Sequence, residues 1–201
     1  MQITQRYTYS TYTVRAKVLK LFGGSFDLFD PEGNLVLHAS QQAFKLKEDI
    51  RLYTDKSKTE ELLTIKARQI IDFSSAYDIE DTTTGEKLGA LKRKGWKSIV
   101  RDRWILMDTG DNEVGYIQED NAWLGVVRRL MAAFVVNLIP QSYQCVIRDT
   151  VVCTFKQNFN PFVKKVTVNF PEASSLREAS IDKRLGLATA ILLCAIEGKQ
   201  N

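Results

Sequence analysis

Short runs of alternating apolar and polar residues come in pairs along the first part of this chain, and an acidic turn joins each pair. Phe26-Asp27-Leu28 leads through turn 30–34 to Leu35-Val36-Leu37. Ile50-Arg51-Leu52 leads through 55–58 to Leu63-Thr64-Ile65. Tyr77-Asp78-Ile79 leads through 81–86 to Leu88-Gly89-Ala90, and Trp104-Ile105-Leu106 through 108–112 to Val114-Gly115-Tyr116. The units recur at about 24 to 27 residues, the length of a hairpin plus its connection. A period of two puts Phe26 with Leu28, Tyr77 with Ile79, and Trp104 with Leu106 on one face of each strand. Asp and Asn suit the turns because their side chains bond their own backbone, and Gly33, Gly85 and Gly110 are expected to supply positive φ. The strand pattern resumes over 143–155 and 162–170, where Val166, Val168 and Phe170 alternate with Thr167 and Asn169.

Two stretches change period. In 121–140, Trp123, Val127, Leu130, Met131 and Phe134 recur at helical spacing beside Arg128 and Arg129, which predicts an amphipathic helix near 121–136 ended by Pro140. In 182–198 the run Leu185–Ile196 contains no charge and has no polar face, with Asp182 placed for the first turn and Gly198 for the C-terminal cap. A helix apolar all round must be buried in a core or in a bilayer. This one is shorter than the ~20 residues a bilayer needs. At ~1.5 Å per residue it spans on the order of 25 Å, the depth of a strand layer. The pattern therefore predicts a mostly β protein: a closed antiparallel barrel of about twelve strands around a buried hydrophobic C-terminal helix. Small residues at Gly186, Ala188, Ala190 and Ala195 would let the strands approach it. The expectation is one domain over 1–201, with 1–9 as a loose N-terminal arm.

Repeated hairpins followed by one fully apolar C-terminal helix resemble the tubby C-terminal-like superfamily, with phospholipid scramblase-related and LURP-one-related proteins nearest. The residues that carry the resemblance are Tyr12-Thr-Val-Arg-Ala-Lys-Val18, Phe26-Asp-Leu-Phe-Asp-Pro-Glu-Gly-Asn-Leu35, Leu138-Ile-Pro-Gln-Ser-Tyr143, Phe159-Asn-Pro-Phe-Val163 and Asp182-Lys-Arg-Leu-Gly-Leu187. The resemblance implies a twelve-stranded barrel threaded by its tail helix, and work at membranes. Tubby-type domains bind phosphoinositide head groups through basic side chains, and scramblases are associated with calcium-dependent lipid movement. The scramblase calcium loop precedes the C-terminal helix; here Lys164 and Lys165 stand where its carboxylates would be.

Composition narrows the chemistry. The 201 residues carry a formal net charge of +4, mild enough to permit an anionic partner without requiring one. Cys145, Cys153 and Cys194 form no CxxC spacing and sit among apolar residues, as buried thiols of a reducing compartment do. His38 is the single histidine, which leaves no histidine zinc cluster; it falls opposite Leu35 and Leu37, where a strand-surface position is expected. The first fifteen residues have neither the apolar core nor the cleavage site of a signal peptide. Residues 108–120 fail the calcium-loop pattern, because Glu113 stands where that pattern requires glycine.

Lys92, Arg93, Lys94, Lys97, Arg101 and Arg103 cluster around Trp96, a combination that attracts an anionic head group at an interface. The expected function is a non-catalytic module that binds an anionic phospholipid, a phosphoinositide or a membrane surface. Its binding residues would be Lys92, Arg93, Lys94, Lys97, Arg101, Arg128 and Arg129, without cofactor or metal. The expected location is cytoplasmic, peripheral at the inner membrane face. Nucleic acid is not expected, since Trp104 falls on the inward face and no RNA- or DNA-binding motif appears. The alternatives are a homodimer or protein-interaction module acting through 121–140, and a small-ligand protein or enzyme with an unrecognised site.

Overall fold

The computed structural model describes residues 4–19, 23–41, 49–68, 76–93, 103–120, 141–158, 164–172 and 179–197. Twelve antiparallel strands form a closed barrel: β1 (Thr11–Leu19), β2 (Gly23–Phe29), β3 (Leu35–Gln41), β4 (Asp49–Tyr53), β5 (Glu61–Ala67), β6 (Ala76–Asp81), β7 (Glu86–Arg93), β8 (Arg103–Met107), β9 (Glu113–Glu119), β10 (Ser142–Ile147), β11 (Thr150–Asn158) and β12 (Lys164–Asn169). Each strand pairs with its sequence neighbours, and β1 closes on β12 through the register Thr11↔Asn169 to Ala16↔Lys164. The helix α1 (Lys183–Glu197) fills the lumen. The expected fold class is therefore the observed one. The segment 121–140, with its expected helix, lies outside the described residues.

Alternation explains which residues meet inside. Tyr12, Val14, Phe26, Leu28, Ile50, Leu52, Ile65, Ile79, Leu106, Ile117 and Val168 line the wall at 0–1% exposure, and α1 answers with Leu187, Ala188, Ala190, Ile191 and Leu192 at 0%. Small residues let helix and wall approach. A Cβ on Gly186 would lie 2.6 Å from a ring carbon of Phe170, and one on Gly89 would lie 2.6 Å from the Met107 carbonyl. Asp182 caps α1 by accepting from the Arg184 backbone N–H at 2.8 Å. All three cysteines are free and buried, as expected, and burial raises the thiols of Cys145 to about 12 and Cys194 to about 11.

The repeat is more regular than alternation alone reveals. Each of the five hairpins carries a bulge, one extra residue on its second strand: Val36, Leu62, Leu88, Val114 and Val152. The first four are evenly spaced by 26 residues. Val36, Leu62, Leu88 and Val152 are buried, whereas Val114 is 37% exposed, alone among large apolar side chains of the described residues.

Turn chemistry accounts for four hairpin ends. Asp30 accepts the Asn34 backbone N–H at 2.8 Å, Asp55 that of Ser57 at 2.8 Å, Asp81 that of Thr83 at 2.9 Å, and Asp108 those of Gly110 and Asn112 at 2.9 Å. Gly33 and Gly85 take positive φ as expected. Gly110 does not: Asp111 holds that conformation, at φ 65°. Its carboxylate accepts from Arg68 and Lys87, which fixes the residue where a glycine would otherwise serve.

Candidate functional site

Up-and-down topology gives the barrel two unlike ends. All five hairpin turns lie at one, here the turn end, where α1 enters. The strand termini joined by the other connections lie at the opposite, far end, toward which α1 runs.

The turn end is acidic and internally paired. Arg184 donates to Asp81 and to Asp182, each at 2.6 Å, and approaches Glu86 at 3.8 Å. Burial pushes the Asp81 carboxyl up, but hydrogen bonds from Thr83 and Arg184 outweigh it and hold the acid below its ordinary value of 3.8. Lys183 donates to the carbonyls of Thr8 and Tyr9 at 2.9 and 2.8 Å. Residues Thr4–Tyr7 form a 3-10 turn from which Arg6 donates to the carbonyls of Val36 and Thr54. Helix, N-terminal segment and turns are thus stitched together over this mouth.

Two further clusters sit on the outer wall. His38 is buried, not a surface residue. It has the expected outward orientation, but turn 55–58 folds back over it: Lys56 meets Asp27 at 3.0 Å and Lys58 donates to Ser40 at 2.9 Å. His38 Nδ1 lies 2.8 Å from Asp27, and burial of that acid is outweighed by its bonds to His38 and Lys56, which lower its pKa. The second cluster repeats the arrangement two hairpins later. Asp78 holds Arg68 through a bidentate pair at 2.6 and 2.7 Å, and turn 108–112 leans across so that Asp111 meets Arg68 and Lys87. Among the described residues no nucleophile–base pair accompanies either cluster.

The far end is basic. Lys17, Lys66, Lys92, Arg103, Lys156 and Lys165 project from the outer face, while Arg93 and Lys164 lie on the lumen face. The register shows this, because directly opposed residues share a face: Arg93 opposes the buried Trp104 and Lys164 opposes the buried Ala16. Among the described residues the acids at this end are Asp49, Glu119 and Asp120, and Arg51 already engages Asp49 at 3.1 Å. Among the described residues Lys92, Lys156 and Lys165 form no ion pair. Of the residues expected to bind, Lys92 and Arg93 are described, adjacent and half-buried on β7. Lys94, Lys97, Arg101, Arg128 and Arg129 lie outside the described residues. The topology brings Lys156, Lys164 and Lys165 to the same end, a grouping their scattered sequence positions conceal. Strand parity with Leu91 would have placed Arg93 inward.

Two cavities are lined by described residues. Between α1 and β10–β12 a space of about 20 Å³, room for one water, is lined by Tyr143, Phe155, Lys164, Leu193 and Cys194. On the outer wall a groove of about 310 Å³ runs over Ile105, Val114, Tyr116 and Val146. The Arg103 guanidinium lies 3.7 Å from the Tyr116 ring centroid there, and Arg103 and Arg148 balance Glu113 and Asp149. Among the described residues no group of three or more potential metal ligands gathers, and no helix is long and apolar enough to cross a membrane.

Residues 10–97 match the family model described as LURP-one-related. No curated protein matches the chain. Among solved structures, the X-ray structure of a protein from Arabidopsis thaliana aligns with a TM-score of 0.51 over 93% of this chain and 91% of that one, at 14% identity, a likeness of fold. The resemblance read from the sequence is borne out as a match to the LURP-one-related model over residues 10–97, which build the first seven strands of the barrel, and as a likeness of fold over nearly the whole chain.

Proposed function

We propose that the protein is a non-catalytic module that docks end-on against an anionic phospholipid surface, far end first, as a cytoplasmic protein peripheral at the inner membrane face. The observation that carries this reading is the division of charge between the two ends. Asp30, Asp55, Asp81, Asp108 and Asp111 at the turn end are occupied in turn caps and ion pairs, whereas Lys92, Lys156 and Lys165 at the far end form no ion pair among the described residues. Near an anionic leaflet each Lys or Arg of such a rim contributes about 1 kcal/mol, and several together give reversible attachment. The filled lumen supports binding at a surface rather than turnover of a substrate inside. Trp104, at 0% exposure, is no platform for stacking bases, which favours a lipid surface over nucleic acid as the anionic partner.

The test is co-sedimentation with vesicles of phosphatidylcholine alone and of phosphatidylcholine with phosphatidylserine or a phosphoinositide. Binding to the anionic vesicles only, weakened by salt and by joint reversal of Lys92, Lys156 and Lys165 to Glu, is the expected result. Equal binding to neutral vesicles, or binding unchanged by that reversal, overturns the reading.

A further inference from the structure

The hairpin repeat leaves one stretch of outer wall uncovered. On each of the first three hairpins the next turn leans across. Lys58 of turn 55–58 donates to Ser40 on β3 at 2.9 Å, the Thr82 backbone N–H donates to the carbonyl of the bulge residue Leu62 at 2.9 Å, and Asp111 of turn 108–112 receives Lys87 of β7 at 2.6 Å. The turn after the fourth hairpin is Arg148–Asp149, two residues long, and among the described residues neither side chain bonds to β8 or β9. Val114 is exposed there, where Val36, Leu62 and Leu88 are buried, and the groove of about 310 Å³ lies beside it. The uncovered face is patterned. Ile105, Tyr116 and Val146 stand directly opposite one another across β8, β9 and β10, an apolar row on the outer face. Arg103 lies two positions from the row toward the far end, and Glu113, opposed to Met107, lies on the other side of it toward the turn end. Both are exposed, and neither forms an ion pair among the described residues. Stacking over Tyr116 holds the Arg103 guanidinium at the edge of the row, where its N–H groups can still donate. A partner of one charge sign would satisfy only one flank of this row. A surface with the same order of charges, turned end for end, satisfies both.

We propose that this face binds a second copy of the chain, in a two-fold dimer whose axis runs along the Ile105–Tyr116–Val146 row. The rotation lays the row of one copy on that of the other and brings Val114 under cover. It also carries Arg103 of each copy toward the partner's Glu113, so the ionic contact is made twice. Strand direction reverses across the axis, and the two far ends point away from each other. The dimer uses none of Lys92, Lys156 and Lys165 and stands or falls separately from the surface reading.

Sedimentation equilibrium of the full chain, from micromolar to millimolar concentration, reads the association. The average mass should rise with concentration toward twice that of one chain. Val114→Asp, Arg103→Glu and Glu113→Arg should each weaken the dimer by about tenfold or more, since every change acts on both halves of the interface. Should Val114→Asp disturb the bulge, Val114→Ser takes its place. Arg103→Glu combined with Glu113→Arg exchanges the two charges and should return the dissociation constant close to that of the parent chain. A mass that stays at one chain throughout overturns the proposal, and so does a dimer that none of the single changes weakens. A dimer weakened by both charge reversals and not recovered by the exchange overturns the end-for-end pairing.

Discussion

The two ends of this barrel carry opposite charge for different physical reasons. At the turn end, Asp30, Asp55, Asp81 and Asp108 accept backbone N–H groups of their own turns, and Arg184 and Lys183 tie the helix start to that frame. At the far end Lys92, Lys156 and Lys165 enter no comparable network. Charges locked into short contacts determine the fold of their surroundings. Charges left in solvent create a field that acts on partners. Changes at the turn end should therefore alter stability, and changes at the far end should alter binding.

Leu187→Asp should have the largest effect, since it places a charge at a fully buried position of α1. A loss of more than about 4 kcal/mol is expected, seen in urea unfolding or as failure to accumulate folded protein. A folded, monodisperse variant would show that the lumen does not depend on its filling. Next comes the joint reversal of Lys92, Lys156 and Lys165 to Glu. It should weaken anionic-vesicle binding by on the order of a hundredfold, at about 1 kcal/mol per charge removed. Its urea midpoint should stay close to that of the parent chain, because the three side chains face outward and form no ion pair among the described residues, and surface substitutions away from such contacts seldom change stability by more than about 0.5 kcal/mol. A midpoint that falls with the binding would erase the contrast between the ends.

Asp81→Ala should cost about 1–3 kcal/mol while vesicle binding is kept, because a buried acid that caps a turn and receives Arg184 is lost. The same contacts set a pH dependence. Asp27, Asp78 and Asp81 all titrate below the ordinary carboxylate value of 3.8 in the folded chain. The unfolded chain therefore binds more protons in that range, and the stability these acids contribute is complete above about pH 4 and lost as pH falls through their folded values. A thermal midpoint that did not decline in acid below pH 4 would show that these pairs contribute nothing. The smallest effect belongs to Asp149→Gly. Arg148 and Asp149 both take positive φ in the fifth turn, at 48° and 60°, and glycine there should add about 0.5–1 kcal/mol.

Much of this architecture was readable from sequence because its signals are local. An Asp-led turn between two alternating runs is a hairpin wherever it occurs, and a helix with no polar face has few places to go. The bulges escaped because one additional residue shows up only as two adjacent apolar positions, Val36-Leu37 or Leu62-Leu63, which read as noise in a period of two. The φ of Asp111 escaped because Arg68 reaches it from 43 positions away. His38 was placed on the correct face but given the wrong environment, since nothing nearby announces that turn 55–58 folds back over it. The candidate site was legible as a charge run on β7. Its two faces were not: that Lys92 points outward and Arg93 inward follows from the register against β8.

The seam between β1 and β12 sets the order of assembly. Thr11 Oγ1 donates to Asn169 across 158 positions of chain at 3.0 Å, and the rod that occupies the centre follows that strand in sequence. Such long-range closure slows folding. Until residues beyond 182 have been made, the hairpins must wait as an unsealed, greasy trough, so a nascent copy of this protein is in greatest danger of sticking to others just before that rod is made.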